Sequence, residues 1–74
     1  MLIYVLPESL KRVREGSHIS QQFLADIFNL SVDTIQAYEQ GLIVPSPKVL
    51  YQYSEYFDIE LIFSHKHKHP KYYK

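Results

Sequence analysis

The sequence predicts a small all-α fold, a compact bundle of four to five short helices with a short N-terminal strand or arm and a flexible C-terminal tail. Three observations carry that expectation. Apolar residues recur three and four positions apart in successive blocks, the period of a helix with one buried face. Ser, Asn, Gly and Pro stand at the block boundaries, where helices start and stop. Hydrophobic residues make up 46% of the 74 positions and there is no cysteine, so a single packed core rather than a disulfide framework has to hold the chain together.

Residues 2–6 are apolar apart from Tyr4, and Pro7 ends the run, so the segment reads as a short strand or an extended arm. Glu8 or Ser9 can open a first helix with Leu10 and Val13 inward and Lys11, Arg12 and Arg14 around its other faces; Gly16-Ser17 closes it. Ser20 suits the cap of a second helix over 21–28, with Leu24, Ile27 and Phe28 on one face and Asn29 at its end. Two residues later Ser31 can cap again, with Thr34 where a capping-box acid would stand. Ile35 and Tyr38 then face inward until Gly41 stops the helix. The product is a helix, a tight turn and a second helix.

Pro45-Ser46-Pro47 punctuates the chain, Ser46 as a cap and Pro47 in a first turn where its missing N–H costs nothing. The fourth helix runs to Phe57 with Leu50, Tyr53, Ser54 and Phe57 inward. Residues 59–63 read equally as a last short helix or a strand, and the arm can pair with them as a strand, within one chain or between two, or lie as a coil. The remainder, 64–74, lacks periodicity and is expected to be mobile. The expected organisation is therefore an arm over 1–7, one domain over 8–63 and a basic, His-rich tail over 64–74.

Eight Lys and Arg balance eight Asp and Glu, and four of the cations (Lys66, Lys68, Lys71, Lys74) fall in the tail. A neutral domain is unusual for a binder of polyanions, although the tail can act locally. No apolar run approaches the roughly 20 residues of a membrane span, and the first residues lack a basic leader, so the chain is expected to be cytoplasmic, with no membrane partner. His65, His67 and His69 alternate with lysines and have no Cys, Asp or Glu beside them, so they read as a solvated tail and no metal or cofactor is expected. His18 reads as a turn residue. No nucleophile–base–acid set and no Gly-rich phosphate loop can be assembled, which points away from an enzyme.

Residues 19–41, reading Ile-Ser-Gln-Gln-Phe-Leu-Ala-Asp-Ile-Phe-Asn-Leu-Ser-Val-Asp-Thr-Ile-Gln-Ala-Tyr-Glu-Gln-Gly, resemble the phage-repressor-like (Cro/repressor, Xre-type) helix-turn-helix family. Ser20, Gln21, Leu24, Ala25, Ser31, Thr34, Ile35, Tyr38, Glu39 and Gly41 stand in register with its pattern. The likeness continues without gaps from Leu10 to Leu61 and includes Arg14, Pro45, Ser46 and Leu50. Ala25 is the small residue that lets two helices cross closely, while Leu24, Leu30 and Ile35 lock their angle.

The resemblance implies a transcriptional regulator that binds double-stranded DNA as a homodimer, with the helix over 31–40 in the major groove. By the same resemblance Arg14 pairs with Glu39, and Gln21, with Gln22 beside it, meets a phosphate. The implied reading surface holds Val32, Asp33, Gln36 and Ala37, with Ser31 and Thr34 at the helix start. Gln36 can pair with adenine, Asp33 can accept from cytosine N4, and Val32 or Ala37 can touch a thymine methyl. The family usually puts Arg, Lys, Gln or Ser at several of these positions and basic residues in the loop that here reads Leu42-Ile43-Val44. Phe23 and Ile27, normally polar in the family, join Leu42, Ile43, Tyr51 and Tyr56 as apolar surface for a second subunit, unless the arm covers it. The alternative function is a protein-interaction module, such as an antitoxin-like or anti-regulator partner, which suits the neutral charge and the apolar surface.

Overall fold

In the computed structural model, which describes residues 2–62, four helices are bracketed by two short strands: β1 (Leu2–Tyr4), α1 (Pro7–Gly16), α2 (Gln21–Phe28), α3 (Val32–Gln40), α4 (Pro47–Phe57) and β2 (Glu60–Ile62). The helix starts are set by local hydrogen-bond chemistry. Ser20 Oγ accepts from the Phe23 N–H at 3.0 Å, Ser31 Oγ from Thr34 N–H at 3.1 Å, and Ser46 Oγ from Val49 N–H at 3.3 Å. Thr34 lends its hydroxyl to the second cap, 2.8 Å from Ser31 Oγ.

α1 begins differently from the expectation. Its first residue is Pro7, preceded by an extended Leu6 that offers no side-chain cap, so neither Glu8 nor Ser9 is the start and Pro7 leaves the arm for the helix. Proline fits there because the first helical N–H has no partner in any case.

The helix ends are set by left-handed residues. Asn29 (φ 58°), Gly41 (φ 79°) and Asp58 (φ 55°) close α2, α3 and α4, and the Leu30 and Leu42 N–H groups reach back to the Ala25 and Ala37 carbonyls at 2.9 Å. Gly41 answers two demands at once. A β-carbon there would be strained by the positive φ and would come within 3.1 Å of Pro7 Cγ, the point where α1 touches the end of α3.

Residues 59–63, which the pattern left open, contain a strand rather than a fifth helix. β2 lies parallel to β1 in the register Leu2↔Glu60, Ile3↔Leu61, Tyr4↔Ile62, and the Val5 N–H extends the ladder to the Ile62 carbonyl at 2.9 Å. Asp58 breaks α4 just before it, and the four helices form the long crossover that a parallel pair demands.

Leu10, Leu24, Ala25, Phe28, Ile35, Tyr38, Val49 and Tyr53 form the core, with Ile19, Leu30, Val32, Ile43, Phe57 and Leu61 half-buried against it. Each large side chain so buried contributes roughly 1.5–3 kcal/mol. Three expected inward positions are displaced. Arg14, not Val13, shares the buried stripe of α1 with Leu10. Val49 takes the place assigned to Ser54, whose hydroxyl instead donates to the Tyr51 carbonyl of its own helix. Ile27 faces outward, because α2 already fills its contact with Leu24, Ala25 and Phe28.

Candidate nucleic-acid interface

α2 and α3 are joined by Asn29, Leu30 and Ser31 alone. Ala25 and Leu24 are fully buried where the helices meet, and Ile35 closes the angle from the other side. Beneath this pair lies a polar knot. Arg14 Nε donates to Glu39 Oε2 at 2.7 Å and Nη2 to Oε1 at 3.1 Å, while Nη1 donates to the Ile19 carbonyl at 2.7 Å. Gln21 Nε2 adds a donation to Glu39 Oε1 at 3.0 Å.

One carboxylate thus ties the end of α1 to the first residue of α2 and the last turn of α3, and one guanidinium fixes the loop between α1 and α2. The pair is nearly dry, at 9% exposure for the Arg14 side chain and 3% for Glu39. The hydrogen bond that Arg14 donates to Glu39 raises the Arg14 pKa against the opposing effect of burial, so the charge is held. In such surroundings removing either partner strands the other, at a cost of about 3–5 kcal/mol.

On the outer side of α3, Asp33 and Gln36 are exposed, three residues apart, and make no side-chain hydrogen bond among the described residues. The other implied contacts are partly committed elsewhere. Val32 is half-buried against the core, Ala37 is half-buried, and Ser31 and Thr34 serve the cap of α3. Gln22 donates to Asp26 Oδ1 at 2.9 Å within α2, and the Gln21 amide is turned toward Glu39.

Together α2 and α3 carry Asp26, Asp33 and Glu39 and no Lys or Arg. The first cation after α3 in sequence is Lys48, exposed in the first turn of α4, immediately past the loop that follows α3. The reading of the loop as Leu42-Ile43-Val44 passed over it; a cation two residues after the Ser46 cap was the available signal.

Of the apolar surface expected outside the core, Phe23 (49% exposed), Ile27 (38%), Leu42 (72%), Tyr51 and Tyr56 are exposed. Ile43 is not part of it, since it is half-buried against the core, held inward by the turn that follows Gly41. The arm does not cover this surface. β1 is paired with β2, with Leu2, Tyr4 and Leu6 themselves exposed. His65, His67 and His69 lie outside the described residues.

A helix-turn-helix family model matches residues 10–63, which spans α1 to the end of β2. The chain belongs to the repressor-like, Xre/Cro-type helix-turn-helix family. No curated protein and no solved structure matches it. Membership makes the protein a DNA-binding helix-turn-helix regulator, from a regulatory rather than a catalytic family. Among the described residues no helix is long and apolar enough to cross a membrane.

Proposed function

We propose that this helix-turn-helix protein is a sequence-specific transcriptional regulator of the Xre type, without catalytic activity, which lays α3 in the major groove and binds as a homodimer. The observation that carries the reading is the free pair Asp33 and Gln36 on a short helix whose two ends are fixed, by the Ser31 cap and by the Arg14–Glu39–Gln21 knot. A reading helix has to be rigid, and here the rigidity is built under it. Gln36 pairs with adenine through its amide, and Asp33 accepts from cytosine N4.

Phosphate contacts fall to neutral donors, since the helix pair carries no cation. Gln21 keeps one amide N–H beyond the one given to Glu39, the Gln21 and Gln22 backbone N–H groups stand at the start of α2, and Lys48 supplies a charge across the loop. Selection of bound sites from random duplex DNA, followed by gel shifts across a salt series, tests this. The expected result is a palindromic site bound more weakly as salt rises, with a shallow slope for so few cations. No enrichment of any sequence overturns it.

A second reading is favoured by a specific observation. Three acids without a base on α2 and α3, beside exposed Phe23, Ile27 and Leu42, suit a protein ligand better than DNA. In that case the fold serves as an antitoxin-like or anti-regulator module, and a cognate protein protects α2 from hydrogen exchange while duplex DNA leaves α3 unprotected.

A further inference from the structure

The sheet does not lie flush on α1. Between β1, one face of α1 and the junction of α4 with β2 there is a half-open cavity of about 320 Å³, lined by Ile3, Ser9, Arg12, Val13, Phe57 and Ile59, with Gly16 and Ser17 at one end. Its origin is in the sequence of α1. Ser9, Arg12, Val13 and Gly16 follow the i, i+3, i+4, i+7 spacing of a single helix face, and on that face the side chains are a hydroxymethyl, a long cation, a short branched chain and nothing. The neighbouring stripe, Leu10 and Arg14, is the one turned into the core. Space is left where Gly16 stands, for a β-carbon there would meet nothing within 4 Å beyond its chain neighbours and the backbone of its own helix.

The walls and the charge specify an occupant. Ile3, Val13 and Ile59 are aliphatic, and the Phe57 ring is already stacked on Tyr53 at 6.0 Å and edge-on to Tyr56 at 5.0 Å. Arg12 is exposed and, unlike Arg14, has no ion-pair or hydrogen-bond partner among the described residues. An apolar cleft with a single unspent guanidinium and two hydroxyls is complementary to an anion with an apolar body, and the volume stands at the small end of the range that ligand pockets occupy.

We propose that this cleft is a binding site for a small aliphatic monocarboxylate, its chain between Ile3, Val13 and Ile59 and its carboxylate on Arg12. The site lies on α1 and the terminal sheet and uses none of the α3 side chains assigned to DNA. A ligand there joins α1 to β1 and to the α4–β2 junction, three elements that otherwise meet around open space. The regulator is thereby given an effector site of its own.

Titration of the full chain with octanoate, with octan-1-ol and acetate as probes of the chain alone and the carboxylate alone, tests the proposal by amide NMR and thermal unfolding. Octanoate is expected to shift Ile3, Ser9, Arg12, Val13 and Gly16 in a saturable way and to raise the melting temperature. Octan-1-ol and acetate are expected to bind at least tenfold more weakly. Arg12→Gln should weaken octanoate about tenfold, the loss of one charge-assisted contact. Gly16→Leu should abolish binding by filling the cleft, while site selection with DNA stays unchanged. Three results overturn the proposal: no saturable shift up to millimolar octanoate, equal binding of octanoate by Arg12→Gln, or shifts centred on the exposed Phe23, Leu42 and Tyr51, which mark indiscriminate adsorption.

Discussion

Two side chains separate what the fold needs from what recognition needs. Gln36 is exposed and has no side-chain partner among the described residues, so Gln36→Ala should leave stability unchanged, relax base preference at one position of the site and cost about 1–3 kcal/mol in binding. Gln21 supports Glu39 and, on the proposed reading, meets a phosphate from the start of α2, so Gln21→Ala should weaken every sequence alike. Equal and uniform losses from both variants, measured on a panel of single-base site variants, contradict those roles. Tyr53 is the counterpart within the core. Its hydroxyl is buried with no hydrogen-bond partner among the described residues, and burial pushes its pKa well above the ordinary tyrosine value, with Glu39 and Tyr38 acting in the same direction. Burial also raises the pKa of Tyr38. A phenol whose folded pKa is raised keeps its proton while the unfolded chain loses it. Its contribution is thus complete below the unfolded pKa of about 10 and is lost as pH climbs toward the folded value. Tyr53→Phe removes an unsatisfied group, so urea denaturation at neutral pH should show stability unchanged or raised by about 1 kcal/mol, and the alkaline loss of stability should become shallower. A loss of more than about 1 kcal/mol at neutral pH would falsify the idea that the hydroxyl is unpaired.

At the scale of the elements, what could be read from sequence was whatever acts over three or four residues. Ser20, Ser31 and Ser46 are legible as caps because the hydroxyl reaches an N–H three positions on, and Asn29 and Gly41 are legible as stops because few other residues tolerate a left-handed backbone. The pairing of β1 with β2 was legible only as one option among several, since its two strands come from opposite ends of the domain and each is three residues long. Nor was the choice of Arg14 over Val13 as the buried neighbour of Leu10: a hydropathy pattern places a cation outside, and only the acceptor on a distant helix, Glu39, brings it in. That pairing entered through the family resemblance rather than the periodicity. The same locality makes the start of α3 a sensitive point. Ser31→Ala removes the acceptor for the Thr34 N–H and should cost about 1 kcal/mol of stability. It also frees the turn that carries Asp33, so binding to the selected site should fall further than stability does. Urea denaturation and gel shifts on Ser31→Ala and Ser31→Asp separate the two effects. Asp caps as well as Ser, so the aspartate variant should restore stability but, with a second acid near phosphate, not affinity. Full recovery of both dismisses any electrostatic sensitivity at this end of the helix.

For the whole molecule, the decisive quantity is the mismatch between charge and apolar surface. Eight cations against eight acids leave no net attraction to DNA, and the tail holds four of the cations. On the proposed reading, a single α3 with two free polar side chains is a weak half-site reader under those conditions. Phe23 and Ile27, four residues apart on the outer face of α2, remain exposed although each would contribute roughly 1.5–3 kcal/mol if withdrawn from water. The arm cannot cover them, because β1 is held by β2. A second copy of the chain resolves both difficulties together. A two-fold dimer can bury the apolar pair and set two recognition helices about 34 Å apart, one turn of DNA, so that two weak half-sites act as one. Sedimentation at tens of micromolar should therefore show a dimer. Phe23→Glu and Ile27→Glu should each raise its dissociation constant by roughly tenfold or more, since about 1.4 kcal/mol of lost burial corresponds to a factor of ten. Both should lower affinity for a palindromic site more than for an isolated half-site, while thermal unfolding of the monomer at low concentration stays within about 1 kcal/mol of the parent. A chain that stays monomeric up to those concentrations, with both variants binding the palindrome as the parent does, rules out this face as the dimer contact. The second reading, a protein ligand on α2, then has that surface to itself.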